Sequence, residues 1–191
     1  MICGLILAGG RSTRFGAEKA VAPFLGRPLI AHAHGALAAC TAVAVSARED
    51  SGAAAWAALQ GLTVLPDPPG APDGPLSGLR EGLRWARHQG APLLATVPCD
   101  MPRLTDDIVP GLEAALRDRP GGGAAAESEG GLQPLVALWR VVPALAALER
   151  MLQDGAHPPV RDLLSAVDGL RVRFDPAFLF ANVNAPGDMG S

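Results

Sequence analysis

Ile2-Cys3-Gly4-Leu5-Ile6-Leu7-Ala8-Gly9-Gly10 is the stretch whose reading decides the fold. The run from Ile2 to Ala8 is continuously apolar, lacks a basic leader and is stopped by adjacent glycines. It therefore predicts a buried β-strand and not a signal peptide. Outward from it, short β-branched or apolar runs alternate with longer segments rich in alanine and leucine. That alternation is the mark of an α/β chain, a mostly parallel sheet with helices on both faces. Strands are predicted at Ala42–Ser46, Thr63–Leu65, Leu93–Val97, Gly123–Glu127, Leu135–Trp139 and Val172–Phe174. Helices are predicted to start near Pro28, Ala53, Leu76, Thr105, Pro143 and Val160, with Pro28 and Pro143 in first turns and Thr105 as a cap. Pro66–Gly74 and Pro120–Gly131 read as loops from their Pro, Asp and Gly content, although the second overlaps a predicted strand. There is no internal repeat and no segment long enough for a linker, so residues 1–191 are expected to form one domain.

Composition removes several function classes. The net charge is −3 and the 16 basic residues are scattered, so nucleic acid is not expected as a partner. No stretch is long and apolar enough to span a bilayer, and no membrane partner is expected. Cys3, Cys40 and Cys99 are odd in number and far apart, which argues against a disulfide framework or a zinc site and predicts a reducing, cytoplasmic setting. The four histidines lack metal-ligand spacing, and the serine-hydrolase elbow G-x-S-x-G is absent. Abundant alanine, glycine and proline with few aromatics predicts helices packed closely on small side chains, a matter of packing and not of chemistry.

Ligands of doubly wound sheets gather beyond the carboxyl ends of the strands, and the residues there are the ones with chemical interest. After the first strand comes Leu7-Ala8-Gly9-Gly10-Arg11-Ser12-Thr13-Arg14-Phe15-Gly16-Ala17-Glu18-Lys19. The glycines permit close backbone approach, and Arg11, Arg14 and Lys19 add three cations, a combination suited to a polyphosphate. The segment is neither a P-loop nor a G-x-G-x-x-G fingerprint, and an ordinary exposed glycine turn is the bland alternative. Val97-Pro98-Cys99-Asp100-Met101-Pro102 places a carboxylate just past another strand, where it suits a hard cation such as Mg²⁺, or else simply a turn or a helix cap. Nothing adjacent to Cys99 would lower its pKa, so it is expected only to pack. Asp67 follows the third of the predicted strands in the same way, and Gly74-Pro75-Leu76-Ser77-Gly78 leads into a helix. Asn182 and Asn184, two apart, share one side if that segment is extended, and a turn explains them equally well.

Six blocks in order then resemble the MobA family, the molybdenum cofactor guanylyltransferases: L-A-G-G-R-S-T-R-F-G-A-E-K, G-R-P-L, G-P-L-S-G, P-C-D-M-P, Q-P-L-V-A-L-W and F-A-N-V-N-A-P. The resemblance runs from Leu5 to Pro186. It implies a Rossmann-like, three-layer nucleotidyltransferase fold that uses Mg²⁺, takes GTP and molybdopterin as substrates and releases pyrophosphate. By the same resemblance Leu7, Ala8, Gly9 and Gly10 form the nucleotide-contacting turn and Lys19 is the phosphate-binding lysine. Asp67 is a second nucleotide-contacting acid, Asp100 the metal ligand, and Arg14, Asn182 and Asn184 lie on the pterin side. Lys19, Arg14 and Asp100 are thus the expected catalytic set. Two departures stand out: Glu18 where the family commonly has aspartate, and Ser46 where it has an asparagine after the second predicted strand. Ser46 offers one hydroxyl in place of an amide to the nucleotide. The paired glycines favour the guanylyl over the cytidylyl branch. The rival readings are a CTP-dependent or sugar-phosphate nucleotidyltransferase and a catalytically silent nucleotide-binding subunit. Molybdopterin-synthesis proteins and apo-molybdoenzymes are the partners such an enzyme would meet transiently.

Overall fold

The computed structural model describes residues 1–9, 18–68, 74–153 and 156–183. Strand β1 (Ile2–Leu7) is followed by a small hairpin, β2 (Pro23–Phe24) and β3 (Arg27–Pro28), which leads into helix α1 (Leu29–Ala36). Next come β4 (Ala42–Ser46), α2 (Gly52–Leu59), β5 (Thr63–Leu65), α3 (Pro75–His88) and β6 (Leu93–Pro98). The remainder is α4 (Ile108–Leu116), β7 (Gly123–Ser128), β8 (Gly131–Arg140), α5 (Val141–Met151), α6 (Val160–Ala166) and β9 (Leu170–Arg173). Among the described residues, no helix is long and apolar enough to cross a membrane.

The main sheet runs β5-β4-β1-β6-β8-β7-β9. Pairings of β5 with β4, β4 with β1, β1 with β6 and β7 with β9 are parallel, whereas β8 is antiparallel to both β6 and β7. Successive side chains of a strand face opposite ways, and β1 buries both sets. Ile2 and Ile6 join a core beneath α1, α2 and α4, while Cys3 and Leu5 join a second core beneath α3, α5 and α6. The α/β, three-layer, mostly parallel expectation therefore describes the molecule.

Two local expectations are corrected. The glycine-rich segment 120–131 is not a loop: most of it is β7, joined to β8 by a tight turn in which Ser128 pairs with Gly131. Its Ala124-Ala125-Ala126 has little intrinsic strand preference, and the strand is imposed by burial between β8 and β9. Thr105 does not cap α4. Asp107 occupies the cap position, and the Thr105 hydroxyl donates to the Asp107 carboxylate and accepts no bond from the helix amides.

The order of strands sets the position of any ligand. After β1 the chain places β4 on one side and β6 on the other, so β1 is the switch point of the doubly wound half, and a crevice opens where the adjacent loops diverge.

Candidate active site

At the carboxyl edge of β1 three strand ends are tied together by the backbone. The Ala8 amide donates to the Ser46 carbonyl at 3.0 Å, and the Cys99 amide donates to the Leu7 carbonyl at 3.2 Å. The crevice above them has a volume of about 320 Å³, and Gly9, Lys19, Ser46, Asp67, Gly78 and Asp100 are among the residues lining it. Leu7 and Ala8 contribute to the same wall. A Cβ added to Gly9 would lie 3.5 Å from an Asp67 carboxylate oxygen and 3.9 Å from Ser46 Oγ, so this bare backbone runs directly beside both.

Lys19 begins a 3₁₀ turn, Lys19–Val21, whose Ala20 is buried. Its Nζ lies 2.9 Å from Asp100 Oδ2, and the two side chains are 15% and 26% exposed. The pair is sheltered from bulk solvent yet open to the crevice. Asp100 is held in turn from behind, since its carbonyl accepts from the Val183 amide at 2.9 Å. Cys99 is buried beside it, and desolvation, followed by the Asp100 charge, pushes its thiol up to about 12. A thiol that stays protonated is no nucleophile, in keeping with the packing role expected of it.

Ser46 ends β4 and is buried. A Cβ at Gly78 would collide with its hydroxyl, so helix α3 reaches the crevice floor only because position 78 has no side chain. Gly74 and Pro75 at the start of α3, and Leu135 of β8, also line it. In the sequence these three looked like an ordinary helix start and an ordinary strand residue.

Of the residues singled out from the sequence, Leu7, Ala8, Gly9, Lys19, Ser46, Asp67 and Asp100 converge on this crevice. Asn182 is exposed and next to Val183, which bonds to Asp100, but it is not among the lining residues. Gly10, Arg14 and Asn184 lie outside the described residues, as does Arg11. Among the described residues no cluster of three or more His, Cys, Asp or Glu could hold a metal ion. Asp100 and Asp67 offer oxygen donors only, a sparse set that suits Mg²⁺, which takes one or two carboxylates and completes its shell with water and substrate phosphates. A structural zinc site, by contrast, is closed by four ligands drawn mainly from cysteine and histidine.

Glu18 carries the one prominent interaction at the site that sequence reasoning missed. Glu18 also lines the crevice, and its carboxylate oxygens accept from the backbone amides of Gly52 and, at 2.8 Å, Ala53, in the first turn of α2.

A switch-point crevice on a mixed α/β sheet is where Rossmann-like proteins bind nucleotides, and the family that the chain matches is a nucleotidyltransferase class. Residues 4–170 match the MobA-like NTP transferase domain, and the chain belongs to that family. It is 40% identical to a molybdenum cofactor guanylyltransferase of Rhodobacter capsulatus, covering 98% of this chain and 93% of that protein. A molybdenum cofactor guanylyltransferase of Cereibacter sphaeroides is 38% identical, with 97% and 92% covered. Among solved structures, molybdopterin-guanine dinucleotide biosynthesis protein A from Archaeoglobus fulgidus superposes with a TM-score of 0.75 at 19% identity, covering 98% and 94%. The 4-diphosphocytidyl-2C-methyl-D-erythritol synthase of Anaerococcus prevotii also reaches 0.75, at 12% identity, covering 99% and 92%. At those identities the two structures speak to the fold alone. Nucleotidyltransferases of this type generally use a divalent metal.

Proposed function

We propose that this chain, as one nucleotidyltransferase domain over residues 1–191, transfers GMP from GTP to the terminal phosphate of molybdopterin, giving the guanine dinucleotide cofactor and pyrophosphate. The observation that carries the mechanism is the contact between Lys19 and Asp100 in the crevice beside Gly9. An oxygen of the molybdopterin phosphate attacks the α-phosphorus of GTP. The bond from that phosphorus to the bridging oxygen of the β-phosphate breaks, and pyrophosphate leaves with the electron pair. A phosphate monoester is largely ionised near neutral pH, so no protein nucleophile or general base is required.

What the chain supplies is position and charge. The segment Leu7-Ala8-Gly9-Gly10, with its bare glycines, would let the triphosphate approach the backbone, and Lys19 takes the phosphates. Asp67 and Ser46 contact the nucleoside end. Asp100 would hold Mg²⁺, which when bound would neutralise phosphate charge during the transfer. Arg14, Asn182 and Asn184 serve the pterin side. Ser46 leaves the base contact to a single hydroxyl, and the other NTPs are therefore the controls of interest. The reaction takes place in the cytoplasm, with passing contacts to molybdopterin-synthesis proteins and to apo-molybdoenzymes.

The test is pyrophosphate release by the purified protein with molybdopterin, Mg²⁺ and GTP, CTP or UTP in turn. GTP should be preferred. Asp100→Ala and Lys19→Ala should each lower turnover by about 10²–10³ while leaving the circular dichroism spectrum unchanged. Wild-type rates in either variant remove that residue from the mechanism, and preference for another nucleotide overturns the choice of base.

A further inference from the structure

We propose that Glu18 is a positioning residue for Lys19: it ties the backbone immediately before the lysine to the first turn of α2. This rests on the reading of Lys19 as the phosphate-binding lysine. A helix begins with amides that have no partner inside it. In α2 one of them, Ala54 N, is taken at 3.1 Å by the Ser51 hydroxyl, an ordinary local cap. The amides of Gly52 and Ala53 go to the carboxylate of Glu18, 34 and 35 positions away. A carboxylate at this end of a helix also meets the favourable end of its dipole.

Close approach is built into the partner. A Cβ at Gly52 would lie 3.1 Å from Val21 Cγ2 and 3.2 Å from Glu18 Oε2, tighter than side chains normally pack. The bare backbone at position 52 lets both the carboxylate and the 3₁₀ turn sit against α2 without being pushed aside. On the other side of the lysine, Ala22 N donates to Lys19 O at 3.1 Å and Val21 N to Glu18 O at 3.3 Å, so the turn is held along its length. Lysine has a long stem with much rotamer freedom to lose, and a fixed backbone origin is what aims it. Its amine, 2.9 Å from Asp100, is the product of that aim.

A residue that merely capped α2 would affect stability and nothing else, so the experiment separates stability from positioning. Thermal denaturation and steady-state pyrophosphate release are measured on Ser51→Ala, Glu18→Ala, Glu18→Gln, Lys19→Ala and the double variant Glu18→Ala/Lys19→Ala. Ser51→Ala and Glu18→Ala should lower Tm by similar amounts, and Ser51→Ala should keep kcat/KM for GTP. Glu18→Ala should lose roughly tenfold in kcat/KM, and that loss should vanish when Lys19 is already alanine, as for two residues acting through one interaction. Glu18→Gln, with one acceptor oxygen left, should fall between and serves if the alanine variant is too unstable to assay. The proposal is overturned if both Glu18 variants keep kcat/KM within about twofold of Ser51→Ala, or if the Glu18→Ala loss persists undiminished without Lys19. Full turnover by Lys19→Ala would instead remove the phosphate role of the lysine, an outcome distinct from failure of the clamp alone.

Discussion

His34 faces Trp56 edge-on across α1 and α2, with ring centroids 5.8 Å apart. Its burial, and second the positive charge of Arg27, lower its pKa below the ordinary histidine value. The folded state then binds this proton less readily than the unfolded chain does. Its contribution to stability is full above the unfolded value, near 6.5, and is lost as pH falls through the lower folded one. Tm should therefore decline as pH falls below about 6.5, and His34→Phe, which keeps the ring contact, should make that decline shallower. An equal slope in the variant would mean that other groups carry the acid sensitivity. Glu18 illustrates the limit of reading single residues: its partners on α2 lie so far along the chain that no local pattern connects them.

Helix α3 shows how an element is shaped by what it lacks. Leu76, Leu79, Leu83 and Ala86 give it a strongly apolar face, and Pro75 opens its first turn. Gly78 and Gly82, one turn apart, lie where that face meets β4 and β1, because a Cβ would strike Ser46 at the first and Leu5 at the second. Alanine at position 82 gains up to about 1 kcal/mol in helix propensity and loses about 1–3 kcal/mol to overpacking. Denaturant unfolding should thus show Gly82→Ala to be modestly destabilised, by about 1 kcal/mol, with GTP binding intact. Gly78→Ala presses instead on Ser46 and Leu7, both in the crevice wall, and should weaken nucleotide binding in a thermal-shift titration. If the two variants behave alike, α3 is only a cover for the sheet. The periodicity of this helix was legible in the sequence, as was its start near Leu76. The need for two glycines on its buried face was not, since it depends on which strands lie beneath.

On the scale of the whole molecule, the two largest apolar clusters among the described residues lie on opposite faces of one sheet, beside a small third one around Phe24. Trp139 of β8 is fully buried, and its indole N–H donates to the Thr96 hydroxyl at 3.2 Å, which satisfies the polar end of the largest side chain in the interior. Trp139→Ala should cost about 3–5 kcal/mol and lower Tm by on the order of 10 °C. A smaller change would mean that the second core collapses to fill the space.

The chain by itself determined β1, the alternation that makes the fold α/β, and the short motifs around Lys19 and Asp100. Each of these is local: a run of side chains with a fixed period, or a bend that only certain residues allow. Tertiary structure alone decided that β8 enters antiparallel between β6 and β7, and that Lys19 and Asp100, 81 positions apart, meet at 2.9 Å. Those outcomes follow from the order of strands in the sheet. That order is settled by burying two faces at once, a condition on the whole chain that no window of its sequence contains.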